Sequence, residues 1–488
     1  MTTQTLPETK RPTTWNIIGY SLGEGAGSLV MNSINGFALL FYTDALGLPA
    51  KMAGLALSLA VFWDAITDPA MGYISDNSRS RFGRRHSFML LGGIAMAVSY
   101  YFIWAVPDGF RSSQEHLFWY LVIMNIIMRT AVTVFVVPYV ALGFEVCTDY
   151  QDRSKLQGIK FTVGMLANFA GPALAWKFFF ADVGETKGTS IASNFNDMAV
   201  AFTIAVILLI LATTWLTRQF AIDSRSFTPP KSHGFGGFFK EVFSILSEKL
   251  PAIIFSAVTT YIVGVVLVGS IQMYVYVHFM QLTSDQKVFV HGMGMVSGGI
   301  GALVAPAIAK RLDKKATAIV GIGCGILSNI LMWLVFITFD LPVDTALSIG
   351  SASIPVAVIC FVLCQGMFWG GNAILQPITY SMIADVSQIR QHRTGELRDG
   401  SYSAMLSLIY KVAIAVGILI SGYVISGIGY EAELEQQTSL VVDRLMQALC
   451  ISGIVFPLIA GLVLVYYPVN KARMEALEVE SELKFPNN

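Results

Sequence analysis

The sequence predicts an all-α membrane protein with twelve transmembrane helices in two pseudo-symmetric six-helix halves. Three observations support this fold class. Of the 488 residues, 54% are hydrophobic and only 13% are charged, a balance far from that of a soluble globular domain. About twelve apolar runs recur along the chain, each long enough to cross roughly 30 Å of hydrocarbon as a helix. One long polar connection separates the first six runs from the last six.

The predicted spans follow one another with mostly short polar connections between them. The tenth is too long for a single crossing, so we expect it to project into water or to be interrupted. The spans are 15–43, 51–75, 87–107, 115–145, 158–181, 197–217, 251–280, 286–309, 316–339, 347–384, 401–428 and 444–467.

The longest polar connection, 218–250, contains several basic residues, prolines and glycines, as expected of a cytoplasmic linker. It divides an amino-terminal half, 1–217, which contains the candidate cation site, from a carboxyl-terminal half, 251–467. Residues 468–488 are predicted to form a cytoplasmic tail. Two six-helix halves with a binding site between them are common among secondary transporters.

The charges sort unevenly between the two sides of the predicted membrane protein. With the amino terminus in the cytoplasm, about 23 of the 32 Lys and Arg residues fall in cytoplasmic tails and loops. No cleavable signal precedes the first span, so the first helix itself is expected to target the chain. We therefore expect a multi-pass protein of the plasma, or inner, membrane with both termini in the cytoplasm.

The sequence carries no sign of an enzyme or of a bound cofactor. The five cysteines lack metal-ligand spacing and do not form a disulfide pattern. There is no nucleophile constellation and no phosphate-binding glycine loop. The expected partners are a small-molecule solute, a coupling cation and the lipid bilayer, with no nucleic acid, and the protein is expected to function as a monomer.

Two carboxylates inside the second predicted span are the strongest functional signal. Asp64 and Asp68 are four residues apart, so on a helix they project from one face, close enough to share a cation or a proton. An acid inside the membrane costs at least a few kcal/mol on insertion scales and normally faces a wet cavity or a partner. The alternative is a structural salt bridge.

The two halves repeat at this position, but the acids do not. The second span reads DAITDPAMGYISD from Asp64, and the eighth reads GALVAPAIAKRLD from Gly301. Both segments keep a Pro at the sixth place and an Asp at the thirteenth, whereas Gly301 and Ala305 replace the two acids. A structural acid would be expected in both halves, while a coupling-ion site is needed only once. The asymmetry therefore favours a functional role for the acid pair.

Other charged residues in the spans must pair, bind ions or change protonation, because an unpaired buried charge is very costly. Arg129 could pair with Glu24, whereas Lys160 lies near a span end and could extend its amine to the interface. Lys411, in the opposite half, is a candidate for linking ion occupancy to conformation. Two like charges one turn apart disfavour joint ionisation, which either a proton or a bound Na⁺ would relieve.

Four segments resemble one family of transporters. They are WDAITDP from Trp63, GYISDNSRSRFGRR from Gly72, VVPYVALG from Val136 and LIYKVAIAVG around Lys411. Together they are similar to the glycoside–pentoside–hexuronide:cation symporter family of the major facilitator superfamily, which includes the melibiose permeases. The resemblance spans both halves, and it implies a twelve-helix symporter that works by alternating access and is coupled to Na⁺, Li⁺ or H⁺.

The resemblance also implies site residues. In that family the cation site contains two acids that match Asp64 and Asp68, and a threonine that matches Thr133. An asparagine of the site is replaced here by Thr67, which keeps an oxygen but loses an amide, so Na⁺ and H⁺ both remain open. Lys411 matches the family's lysine near the cation site, which implies a coupling role.

The sugar site of melibiose permeases is not retained. Two sugar-binding aspartates align with Ser28 and Val136, and a sugar-contacting arginine aligns with Phe161 or, after a one-residue slip, with Lys160. Losing these two carboxylate acceptors removes the usual hydrogen bonds to vicinal hydroxyl groups of a sugar. The solute is then a different glycoside, sugar or sugar acid. The candidate solute-binding residues are Glu24, Ser28, Asn32, Arg129, Val136, Lys160, Trp369 and Gln376.

Two alternatives stay open. WDAITDP, the segment from Tyr101 to Gly109 and VPYVAL also resemble the animal sodium-dependent lysophosphatidylcholine transporters. The second alternative is therefore a cation-coupled transporter of a lysolipid or another amphiphile. A third, of a different class, is a membrane sensor that does not transport.

Overall fold

The protein is almost entirely helical in a computed structural model that describes residues 12–469, apart from 77, 79, 81, 84, 147–149, 182–185, 221–243, 350–351, 395–398, 433 and 435. Across these residues it contains twelve long helices. They are α1 Thr14–Leu40, α2 Ala50–Asp76, α3 His86–Trp104, α4 Gln114–Val146, α5 Tyr150–Leu174, α6 Ala192–Leu216, α7 Lys249–Tyr274, α8 Ser284–Leu312, α9 Lys314–Trp333, α10 Val356–Thr394, α11 Asp399–Gly427 and α12 Ser439–Val465.

Ten of these helices are long and apolar enough to cross a membrane. The other two are α1 and α5, whose sequences carry polar residues along their length. Glu24 and Asn32 lie on α1, and Lys155 and Lys160 lie on α5. Polar residues are tolerated in a membrane helix where they face protein or a water-filled cavity. Both helices lie in unit 1.

The chain divides into two compact units. Unit 1 comprises residues 1–48 and 59–232, and unit 2 comprises residues 49–58 and 233–488. The first ten residues or so of α2 thus cluster with unit 2, and the remainder of α2 clusters with unit 1. The predicted halves, 1–217 and 251–467, did not anticipate that division of α2.

Close helix packing in each unit depends on glycine. In unit 1, a Cβ atom added to Gly92 of α3 would lie 2.7 Å from the backbone nitrogen of Phe135 on α4. In unit 2, a Cβ atom added to Gly301 of α8 would overlap the carbonyl group of Gly370 on α10. Small residues let helix backbones approach closely inside a membrane. These contacts fix α3 against α4 and α8 against α10.

The predicted tenth span resolves into a hairpin followed by a long helix. Strands β1 Ala346–Ile349 and β2 Ala352–Pro355 pair antiparallel, with Ala346 opposite Pro355. Helix α10 then begins at Val356 and continues to Thr394. The expected interruption is present, but the predicted end at 384 was too early. The helix continues for ten residues past that point into the more polar sequence DVSQIRQHRT.

The carboxyl-terminal ends of α1 and α7 are similar in backbone geometry. Each helix ends in a five-residue π-helical turn, Phe41–Ala45 after α1 and Val275–Phe279 after α7. The amide of Leu48 donates to the carbonyl of Tyr42 at 2.8 Å, and that of Leu282 donates to Tyr276 at 3.0 Å. In both places the chain then enters the next helix within a few residues. The same kind of turn also follows α5 and α9, at Ala175–Phe179 and Leu334–Thr338, so it is a recurrent helix ending in this protein.

Candidate functional site

The candidate cation site lies between α2 and α4 within unit 1. Trp63 contacts Thr130, Asp64 contacts Arg129, and both Thr67 and Asp68 contact Thr133. Residue numbers rise together along the two helices, so α2 and α4 run parallel here. Polar residues one turn apart on each helix therefore face one another, as the i, i+4 spacing of the acids requires.

Asp64 forms a buried ion pair with Arg129. Arg129 Nη1 lies 3.0 Å from Asp64 Oδ2, and each residue is only 4% exposed. The expected pairing of Arg129 with Glu24 is therefore wrong. The sequence placed both residues inside the membrane but did not give the rotation of α4, which turns Arg129 toward α2. Arg129 thus lies among the cation-site candidates.

Asp68 lies one turn further along α2, beside two hydroxyl groups. Thr133 Oγ1 donates to Asp68 Oδ1 at 2.8 Å, and Thr67 Oγ1 is 3.4 Å from Thr133 Oγ1. Asp68 and Thr67 are partly exposed, whereas Asp64 is buried. Carboxylate and hydroxyl oxygens are the ligands that hard cations prefer. The predicted ligands Asp64, Asp68, Thr67 and Thr133 are thus brought together at one site.

The corresponding positions in unit 2 are packing contacts. Gly301, at the place of Asp64, lies against the backbone of Gly370, and Ala305, at the place of Asp68, is 0% exposed. Neither position has room for a carboxylate. The repeat therefore carries a polar pair in unit 1 and a close backbone contact in unit 2.

A second polar cluster in unit 1 joins α1, α4 and α5. Lys160 Nζ lies 3.2 Å from Glu24 Oε2 and 5.5 Å from the centre of the Tyr139 ring, over its face. Tyr139 stacks on Tyr20 with ring centres 4.5 Å apart. Lys160 thus combines an ion pair with a cation–π contact. The two tyrosines were not among the predicted residues, although Tyr139 lies in the segment VVPYVALG that carries part of the family resemblance.

Three further solute candidates lie on α1 and α4. Asn32 Nδ2 donates to the carbonyl of Asn168 on α5 at 2.7 Å. A Cβ atom on Gly164 of α5 would lie 3.5 Å from Ser28 Oγ, so Ser28 faces the same helix. Val136 is partly buried on α4. Glu24, Ser28 and Asn32 therefore line the side of α1 that faces α5.

The candidates in unit 2 lie on α10 and α11. Trp369 Nε1 donates to Gln272 Oε1 on α7 at 3.3 Å, while Gln376 is exposed. Gln272 is 2% exposed and also bonds Tyr276. The sequence reasoning missed this residue, although a lone amide in an apolar span was a visible signal. Lys411 is partly buried on α11. Its approach to the acids of unit 1 stays a prediction.

Asn125 is a further polar residue that the sequence reasoning missed. It lies on α4 one turn before Arg129 and is 0% exposed. Neither its Oδ1 nor its Nδ2 has a hydrogen-bond partner within the described part of the chain. Its spacing of four from Arg129 and eight from Thr133 was the available signal, because that spacing places all three on one helix face.

Comparison with known proteins identifies the family. The model of the family described as MFS/sugar transport protein matches residues 19–471. The chain belongs to this family. The match covers nearly the whole sequence, including α2 with its two acids, the facing helix α4 and the helix that carries Lys411. The protein is therefore a multi-pass membrane protein of a transporter family, as the sequence predicted.

Several relatives that match over nearly the full length are symporters by name. The uncharacterized symporter sll1374 of Synechocystis is 25% identical, with 96% of this chain and 97% of that protein covered. The putative glycoside/cation symporter YagG of Escherichia coli is 23% identical, covering 94% and 93%. The mouse sodium-dependent lysophosphatidylcholine symporter 1 is 28% identical, but the match covers only 38% of this chain and 34% of that protein.

Solved structures support the fold. The crystal structure of the nucleoside transporter NupG matches with a TM-score of 0.61 at 11% identity, covering 95% of this chain and 99% of that one. At this identity the similarity concerns the fold alone. The predicted all-α fold is thereby confirmed, and the twelve long helices of the described residues are consistent with the predicted number.

Proposed function

We propose that the protein is a secondary symporter that uses a cation gradient to import a glycoside, sugar or sugar acid by alternating access. The observation that carries the proposal is the cluster of Asp64, Asp68, Thr67 and Thr133 between α2 and α4. A polar cluster of this kind inside a transporter marks an ion or substrate path. The glycoside/cation symporter among its full-length relatives supports the same solute class.

The coupling cation, Na⁺, Li⁺ or H⁺, is assigned to the oxygens of Asp64, Asp68, Thr67 and Thr133. Of these residues, Asp68 and Thr67 are partly exposed, so the ion enters on their side of the cluster. Lys411 is proposed to link ion occupancy to conformation. No further cofactor enters this scheme.

The solute is assigned to the cluster of α1, α4 and α5. The Glu24 carboxylate and the Lys160 amine supply an acceptor and a donor for hydroxyl or carboxylate groups, and the Tyr20 and Tyr139 rings offer an apolar face. Because a basic residue is present and Ser28 and Val136 provide no carboxylates, this cluster suits a sugar acid as well as a neutral sugar.

The proposed setting is the plasma membrane, with both termini in the cytoplasm and a functional monomer. The excess of Lys and Arg in alternate loops supports this orientation.

The main competing function is transport of a lysolipid or another amphiphile with the same ion site. The partial match to the lysophosphatidylcholine symporter supports it. The full-length relative named as a putative glycoside/cation symporter favours the sugar.

The test is a proteoliposome uptake screen over neutral sugars, hexuronides and lysophosphatidylcholine. A Na⁺ gradient and a pH gradient are imposed separately for each compound. The proposal predicts concentrative uptake of a sugar or a uronide under one gradient. Uptake of only the lysolipid would establish the competing function. If the protein binds a solute but no gradient drives the uptake of any compound, it is a non-transporting sensor.

A further inference from the structure

We propose that Arg129 is a tethered cation that competes with the transported ion for Asp64, and that Asn125 accepts the guanidinium when the ion displaces it. This inference rests on the proposed cation-coupled function and names the residue that sets ion affinity. It starts from the buried ion pair of Arg129 Nη1 with Asp64 Oδ2 at 3.0 Å. One of the two acids therefore already has a positive charge beside it before any ion arrives.

An alkali ion and the guanidinium cannot share Asp64 without mutual repulsion. Two unit charges about 5 Å apart at an effective dielectric constant of about 20 repel strongly enough to weaken binding about 100-fold. The ion must therefore overcome this repulsion or move the guanidinium away. Since Arg129 is 4% exposed, it cannot simply swing into water. It needs another acceptor inside the protein.

Asn125 provides that acceptor. It is fully buried one helical turn from Arg129, and both of its polar atoms lack a partner among the described residues. Arg129 Nε likewise has no hydrogen-bond partner there. Long side chains on a helix lean toward the preceding turn, so the Arg129 side chain passes over the turn that carries Asn125. A buried amide without a partner is costly, which makes it ready to accept a donor.

The resulting exchange keeps charge balanced. Without the ion, the guanidinium neutralises Asp64. With the ion, the ion neutralises Asp64 and the guanidinium donates to Asn125 Oδ1. A purely structural Asp64–Arg129 pair would instead stay closed in both states, and Asn125 would have no influence on ion affinity.

The first test measures Na⁺ and Li⁺ binding to purified protein by isothermal titration calorimetry at one pH. Arg129→Gln removes the competing charge, so the Kd for Na⁺ should fall about 100-fold. The matched control Arg129→Lys keeps the charge and should stay within about threefold of the wild type. An unchanged Kd in folded Arg129→Gln would overturn the inference, and so would the absence of measurable Na⁺ or Li⁺ binding in both the wild type and this variant.

The second test uses Asn125 and leaves the ion pair intact. Asn125→Leu removes the alternative acceptor and should raise the Kd for Na⁺. Asn125→Asp attracts the guanidinium away from Asp64 and should lower it, by about tenfold in each direction. Shifts in the same direction, or no shift, would contradict the role of Asn125. This pair also decides the question if Arg129→Gln fails to fold.

These outcomes are separate from those of the uptake screen. If the inference is wrong, ion-driven uptake remains intact, and the Kd for Na⁺ does not depend on Arg129 or Asn125. If the proposed function is wrong, no compound is taken up under any gradient. The competition at Asp64 could still be measured by ion binding.

Discussion

Within unit 1, Asp64 and Asp68 are chemically distinct although they lie on one helix face. Asp64 is buried against Arg129, whereas Asp68 is partly exposed and accepts a hydrogen bond from Thr133. Removing one partner of a buried ion pair typically costs about 3–5 kcal/mol, because the other charge stays buried. Substitution of Asp64 therefore mixes a loss of stability with a loss of function. Asp68 and Thr133 give cleaner tests of the ion site.

Replacing Thr133 by Val should weaken ion binding. Thr133→Val keeps the shape but removes the hydroxyl that donates to Asp68 and lies beside Thr67. We expect the ion concentration for half-maximal uptake to rise about tenfold, the value of a typical lost hydrogen bond to a charged group. Thr133→Ser should behave like the wild type. Thr130→Val, three residues earlier on α4 at the hydroxyl that bonds Trp63, is the matched control, and an equal effect there would count against the assignment.

At the scale of single helices, periodicity in the sequence predicted which residues share a face but not which neighbour that face meets. The i, i+4 spacing placed Asp64 and Asp68 together, and the structure confirms that both meet α4. The partner of Arg129 could not be predicted, because it depends on the rotation of α4 against α2. The beginning of α10 was similarly hidden, since the hairpin before it is as apolar as a membrane span.

Glycine contacts between helices predict a sharp difference between two neighbouring positions on α8. Gly301→Ala would force a methyl group into the carbonyl of Gly370 on α10, whereas a Cβ atom at Gly299 meets nothing within 4 Å. We expect Gly301→Ala to destabilise the protein by about 1–3 kcal/mol through overpacking. Gly299→Ala should be neutral or slightly stabilising because alanine favours helix.

The measurement for this pair is the thermal unfolding midpoint of each purified variant in the same detergent. A lower midpoint for Gly301→Ala alone is the expected result. Equal midpoints would show that α8 and α10 do not pack as closely as the structure indicates.

At the scale of the whole molecule, the fold was predictable and the solute was not. Twelve apolar runs, their six-plus-six division and the repeated Pro and Asp spacing were sufficient for the architecture. The proposed solute site depends on a few side chains from separate helices, such as Glu24, Lys160 and Tyr139, which meet only in the packed structure. The sequence nominated the first two and did not reveal the aromatic surface beside them.

The predicted orientation can be tested by labelling engineered cysteines in a variant that lacks the five native ones. Ser226→Cys, in the linker, should react with a membrane-impermeant maleimide only after cells are permeabilised. Asp344→Cys, exposed before the β1–β2 hairpin, should react in intact cells. The physical reason is the excess of Lys and Arg on the linker side. The reverse pattern would refute cytoplasmic termini.

The most direct test of the proposed mechanism is Asp68→Asn in proteoliposomes, with the solute that the screen identifies. Asparagine keeps the shape and the contact with Thr133 but cannot carry the charge that holds the cation. We expect concentrative, gradient-driven uptake to disappear while equilibrative solute counterflow continues, and the exposed control Asp344→Asn should retain both. Normal uphill accumulation by Asp68→Asn would contradict cation coupling through the α2–α4 site.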